Sequence, residues 1–265
     1  MDQYSHEEDS ELHESHADAE RPSGEVLAAE QGAVERIVIP FPEIVAAGHP
    51  YVRLLIRTHV IQEGDDPVAV AARYAAPITA QGDILFFGEK AVAIAQGRAI
   101  PLDSIKPRLL ARLLSKTIRK SPHGYGLRRP QTMEIAMREV GAPRILLASI
   151  AGLVDRLTGR SGDFYRVAGR RVAGIDGPGF NTLPPFDHFV VPLPFEPDRV
   201  AQAIADRLGI AAAIVDVNDV GSEVIGSSRG VDTALVAACL RDNPLGQAHQ
   251  QTPLGLIRAV ACGRN

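Results

Sequence analysis

The chain has 265 residues, 45% of them hydrophobic and 23% charged, with a formal net charge of −4; that is the make-up of a globular protein long enough to bury a sizeable core. No apolar run approaches the ~20 residues needed to cross a bilayer and no apolar signal segment follows Met1, so the expectation is a cytoplasmic protein with no membrane partner. Only two cysteines occur, Cys239 and Cys262, which supports neither a disulfide framework nor a thiolate metal site.

The charge is unevenly spread. Residues 1–32 hold ten acids against Arg21 alone, a charge of −9, so the rest of the chain carries +5. That first stretch is acidic, polar and almost free of aromatics, and it predicts a disordered tail, because too little apolar surface is available to offset the entropy of ordering. Residues 33–265 are then the folded domain. Their mild positive charge suits a small anionic ligand and gives no sign of nucleic acid.

From residue 36 onward the apolar pattern predicts short strands at 36–40 and 51–61. Asp66-Pro67 opens a helix through Tyr74, with Asp66 as N-cap and proline at the first helical position. Gly82 and Gly97 bracket a strand, a tight turn at Gly88 and a short Ala-rich helix that begins beside Lys90. At such a place a lysine either serves an anion next to free backbone N–H groups or is an ordinary solvated lysine. The glycine spacing is not that of a Walker loop, and no Ser or Thr follows the lysine.

Residues 106–120 predict a helix with Leu109, Leu110, Leu113, Leu114 and Ile118 on one face. The loop after it is basic and glycine-broken, with Arg128 and Arg129 at its end; it can close on phosphate or simply be solvated. Helices follow over 130–140 and 143–157, then a hairpin over 163–175 turning at Ala168-Gly169, then a helix over 197–208 in which Val200, Ile204 and Leu208 recur every fourth residue.

The stretch after this last helix is the most informative. An apolar strand over 210–215 runs into Asp216, Asn218, Asp219 and Glu223, ahead of Gly226, Ser227 and Ser228. Carboxylate and amide oxygens at a strand exit can hold a hard cation such as Mg²⁺ or Mn²⁺, which neutralises phosphate, or they can cap turns. An EF-hand loop is excluded: counted from Asp216, apolar Val220 falls at the fifth place and Ser227 where a bidentate Glu is required.

Four stretches together resemble the coenzyme F-420 gamma-glutamyl ligases: Gly82-Asp83-Ile84-Leu85 through Lys90 to Gly97-Arg98, Gly174-Ile175-Asp176, the helix from Pro197 into the strand ending at Val217, and Asn218-Asp219-Val220-Gly221. The resemblance implies an α+β fold, a two-part mixed α/β ligase architecture that forms an interwoven homodimer. It also implies an amide ligase joining an amino acid, L-glutamate in the family, to a carboxylate acceptor such as the deazaflavin precursor, through an acyl phosphate. GTP or ATP, Mn²⁺ or Mg²⁺ and potassium are the implied cofactors, and the partners are small-molecule carboxylate and amino-acid substrates. By position, Asp176, Asn218 and Asp219 look like metal ligands with Asp216 and Glu223 as further candidates. Lys90 looks like the catalytic, phosphate-binding lysine, with Arg128, Arg129 and Ser227 on the nucleotide.

The chain departs from the family pattern in places. Glu89-Lys90 stands for Ser-Lys, Val172 for an Asn, Asn218-Asp219-Val220-Gly221 for Asp-Thr-Phe-Gly, and Ser222-Glu223-Val224-Ile225 for Arg-Pro-Trp-Arg. These departures mark a divergent branch. A second reading accommodates them as well: a non-catalytic paralogue that keeps the fold, binds a nucleotide or small anion and regulates or partners a working ligase.

Overall fold

A computed structural model describes residues 37–118, 126–160, 162–179, 183–218, 221–246 and 250–260; the acidic tail over 1–32 and Asp219 lie outside the described residues. β1 (Val38–Ala46) and β2 (His49–Ile56) form a hairpin whose two turn residues, Ala47 and Gly48, both have positive φ, the backbone that matches strand twist at a two-residue turn. α1 (Pro67–Tyr74) begins at Asp66, whose carboxylate accepts the Val68 N–H at 2.9 Å. β3 (Ile84–Gly88) runs directly into α2 (Glu89–Ala95), followed by the short strand β4 (Ile100–Pro101). Five helices then build a separate layer: α3 (Leu109–Ser115), α4 (Pro130–Val140), α5 (Ala142–Thr158), α6 (Asp163–Ala168) and α7 (Arg170–Ala173). The chain returns through β5 (Phe189–Val190), α8 (Pro197–Leu208), β6 (Ala211–Asn218), β7 (Gly221–Ser227), α9 (Thr233–Leu240) and β8 (Leu254–Ala259).

The main sheet has the order β1-β2-β8-β3-β6-β7, antiparallel throughout except for the parallel pair β3 and β6. Leu85, Phe86 and Phe87 of β3 and residues 212–215 of β6 are all buried, the continuous apolar run expected of strands covered on both faces. On one face Phe87, Ile214 and Leu256 pack with Tyr74 of α1 and Ile204 of α8. On the other, Phe86, Val215 and Ile257 pack with Val236, Cys239 and Leu240. Gly255 lets the central strands meet, since a Cβ there would lie 2.5 Å from Phe86 Cζ and 2.6 Å from the Leu54 carbonyl oxygen. The helical layer has its own core around Met133, Ile135, Ile145, Ala148, Phe164 and Val172. The fold is thus α+β in two parts.

Several expectations need correction. Residues 163–175 form α6 and α7 rather than a hairpin: Phe164, Ala168 and Val172 are buried at helical four-residue spacing, and Gly169, at φ 90°, separates the helices. The expected helix over 106–120 is confined to Leu109–Ser115. Pro107 holds back its start, and the Ser115 and Thr117 hydroxyls donate to the Arg112 and Leu114 carbonyls at its end, a local bonding that competes with the helical ladder. Leu109 and Leu113 consequently stay exposed. The strand expected over 51–61 stops at Ile56, where its partner β8 begins at Leu254. Asp216 and Asn218 are still within β6, and Glu223 is within β7, so these groups sit on a strand pair rather than in an exit loop.

Candidate functional site

β3 and β6 are parallel and in register, with Gly88 opposite Val215. The residues that follow therefore emerge side by side: Glu89 and Lys90 at the start of α2, and Asp216 on the continuing β6. The carboxyl ends of adjacent parallel strands are where α/β sheets characteristically offer ligand sites. Asp176 reaches the same place from the helical layer through a two-bond bridge to Val191, each backbone N–H donating to the other's carbonyl at 2.9 Å. Lys90 Nζ lies 2.8 Å from Asp176 Oδ2. Two residues forty positions apart, Asp176 and Asp216, thus face one lysine.

The electrostatics are those of a carboxylate excess. Burial raises the Glu89 carboxyl well above its ordinary range; Asp176 and Asp216 add to the rise and Lys90 partly opposes it. Burial likewise raises Asp216, helped by Asp176 and Glu223, while a hydrogen bond from Asn218 and the charge of Lys90 pull it down. For Lys90, burial acts downward, but Asp176, Glu89 and Asp216 outweigh it and the ammonium is held above its usual value. Among the described residues, one ammonium thus faces three carboxyl groups, an excess of acid over base. Glu89 Oε2 is buried without a hydrogen-bond partner among the described residues.

Hard oxygen donors in uncompensated excess fit a divalent cation in chemistry. Among the described residues, however, no three His, Cys, Asp or Glu side chains stand in an arrangement that could hold a metal ion. The residues that would hold a cation are Asp176 and Asp216, with Asn218 in support: its amide donates to Asp216 Oδ1 at 3.2 Å, and its own oxygen accepts the Gly221 N–H.

The other expected site residues are distributed unevenly. Glu223 stands directly across the strand pair from Asp216, but its carboxylate is paired with Arg170 at 2.8 Å and is largely exposed. Ser227 pairs with Ala213, toward the opposite end of β6, and its N–H donates to Asp198 at the start of α8; the fold does not bring it to Lys90. Arg128 and Arg129 lie just before α4, in a turn whose Gly126 Cα would come within 3.9 Å of a Cβ placed on Gly177, the neighbour of Asp176. The turn that carries the two arginines therefore starts beside the neighbour of Asp176.

Two residues were missed as site members. Glu89 is noticeable in sequence only as the acid standing beside Lys90. Arg170, which also donates to the Val224 carbonyl, was hidden by reading its segment as a hairpin.

No curated protein matches the chain. The family model for F420-0:Gamma-glutamyl ligase matches residues 55–219, more than half of the chain, and this span includes Glu89, Lys90, Asp176 and Asp216. With those residues gathered at the ends of the two parallel strands, the chain belongs to the F420-0:gamma-glutamyl ligase family, a family of amide-forming ligases.

Proposed function

We propose that the chain is a nucleotide- and divalent-cation-dependent amide ligase that joins an amino acid, L-glutamate first, to a carboxylate acceptor of the coenzyme F-420 precursor type, with GTP as phosphoryl donor. The observation that carries this reading is the meeting of Lys90, Asp176 and Asp216 at the paired ends of β3 and β6.

In this reading an acceptor carboxylate oxygen attacks the γ-phosphorus of GTP, the bond to the β–γ bridging oxygen breaks, and an acyl phosphate and GDP result. The amino nitrogen of glutamate then attacks the acyl carbon; inorganic phosphate leaves and the nitrogen's surplus proton passes to solvent. Lys90 turns from Asp176 to the transferring phosphoryl oxygens, where a fixed positive charge counts most as negative charge develops. Asp176 and Asp216 would hold the cation, and Asn218 keeps Asp216 aimed. A bound Mg²⁺ or Mn²⁺ would neutralise phosphate charge. Arg128 and Arg129, just before α4, would meet the nucleotide's outer phosphates.

The test is phosphate release from GTP, and separately from ATP, with L-glutamate, the F-420 precursor, Mn²⁺ or Mg²⁺, and with or without potassium. The expected result is turnover that needs both substrates and falls at least ~100-fold in Lys90→Met. Nucleotide binding with no phosphate release under any combination would contradict the ligase reading and leave the non-catalytic binder.

A further inference from the structure

The first turn of α4 holds donors that no acceptor among the described residues satisfies. The helix starts from Arg129, whose backbone is extended, with no side chain capping it and no acid in its first turn. The first N–H groups of a helix have no intrahelical acceptor. Pro130 carries none, and the Met133 N–H is bonded to the Arg129 carbonyl at 3.0 Å. Those of Gln131 and Thr132 are left at the end of the helix, where the dipole favours an anion.

Thr132 points the same way by its side chain. The residue is wholly buried, yet its hydroxyl has no hydrogen-bond partner among the described residues. A threonine inside a helix can return its hydroxyl to the carbonyl four residues back, which here would be that of Arg128. Thr132 does not do so; at the third helical position it leans over the N-terminus, the direction in which helical side chains point. There it faces a gap between two glycines. A Cβ on Gly177 would lie 3.5 Å from Thr132 Oγ1 and 3.9 Å from Gly126 Cα, so neither glycine fills the space with a side chain. Arg128 and Arg129 stand at the same end, and Glu134, the first acid along the helix, is held by Arg108 and Arg138.

A hydroxyl, two backbone N–H groups and two arginines, with no acid among them, make a cradle for an oxyanion. A buried donor without an acceptor costs stability, and an anion supplies the acceptor. Gly177 follows Asp176, whose carboxylate holds Lys90 at 2.8 Å, so the cradle adjoins the excess of acid around that lysine. A ligand that brings an oxyanion together with a cation suits both. None of the four stretches that carry the family pattern includes α4.

We propose that the N-terminus of α4 is an oxyanion subsite, in which Thr132 Oγ1 and the Gln131 and Thr132 N–H groups, beside Arg128 and Arg129, hold a phosphate or carboxylate group of a ligand whose remainder lies on the Lys90 cluster. Which substrate brings that group rests on the ligase reading; the binding of an oxyanion does not.

The test titrates the full chain, without nucleotide or divalent cation, with inorganic phosphate and with acetate, each against chloride at equal ionic strength, and follows the backbone amides of Gln131 and Thr132 by heteronuclear NMR. Both amides shift saturably with at least one anion, and the tighter of the two tells phosphate from carboxylate. Thr132→Val, which keeps the shape of the side chain, weakens that anion at least about tenfold, and Thr132→Ser, which keeps the hydroxyl, restores it. Amides that move with neither anion, or equal affinity in Thr132→Val and the wild-type chain, would overturn the proposal. The wild-type shifts decide the matter even where Thr132→Val fails to fold. A failed ligase reading shows itself separately, as absence of phosphate release from nucleotide, and leaves these shifts in place.

Discussion

The two parts of the molecule leave different things unfinished. In the sheet part the apolar groups are satisfied within one chain: Phe86, Phe87, Ile214 and Leu256 are all wholly buried, and what is left in excess among the described residues is charge, at Glu89 and Asp216 beside Lys90, where Asp176 joins them from the helical layer. In the helical part the acids of α4 are paired. Glu134 is bound by Arg108 and Arg138, and Glu139 lies between Arg98 and Arg171. What is left there is apolar surface: of the eleven large hydrophobic residues that are exposed among the described residues, nine belong to α3, α5 and α6. Unpaired charge calls for a small ligand, whereas uncovered apolar surface calls for a macromolecular neighbour.

The comparison can be tried first where the sheet part is tightest. Gly255→Ala would thrust a methyl group against the Leu54 backbone and Phe86 ring in the central strand. It should cost at least about 3 kcal/mol by denaturant unfolding; a loss under 1 kcal/mol would mean that the sheet centre can yield.

A milder perturbation removes charge from the cluster. Glu89 has a raised folded-state pKa, so its stabilising, protonated form is lost as pH rises from the ordinary carboxylate range through that higher value; the wild-type chain loses stability over this window. Glu89→Gln should therefore be more stable than wild type at pH 8, by about 1 kcal/mol or more, and the gap should close toward pH 4. A pH-independent difference would show that the neighbouring carboxylates do not act on Glu89.

The smallest effect belongs to the helical surface. Leu157→Gln alters a residue that is 79% exposed in the single chain, and at high dilution its stability should match wild type within about 0.5 kcal/mol. The wild-type Tm should climb by about 2–4 °C per tenfold rise in protein concentration, and this climb should shrink in the variant. Equal concentration dependence in both would show that copies of the chain do not meet on this face of α5.

Legibility in the sequence followed the range of the forces involved. Helices α1, α4 and α8 could be read to their boundaries because their signals are local: Asp66-Pro67, Pro130 with Gly141, Pro197 with Gly209. The buried strand leading to Asp216 was equally plain. Residues 163–175 misled because two helices of six and four residues are too short to establish a period, and it is packing, of α6 on α5 and of α7 on α4 and α6, that makes them helical. In the site, Lys90, Asp176 and the polar residues after the strand, Asn218 and Asp219 first, were grouped by resemblance to a family pattern. That Asp216, with Asn218 behind it, comes to face Asp176 depends on the parallel register of β3 and β6, which no local pattern encodes. The importance of Glu89 depends on its burial beside two other acids, again a matter of tertiary structure.

The most direct test of the central claim, that the Lys90 cluster is a nucleotide and cation site, is a thermal melt of the wild-type chain and of Asp176→Asn with GTP, with Mn²⁺, and with both. A ligand at 100 times its Kd adds about 2.7 kcal/mol, so GTP and Mn²⁺ together should raise the wild-type Tm by about 5–10 °C, more than either alone, and Asp176→Asn should lose most of that rise. No rise with GTP or ATP at millimolar concentration with either cation, or an equal rise in Asp176→Asn, would contradict it.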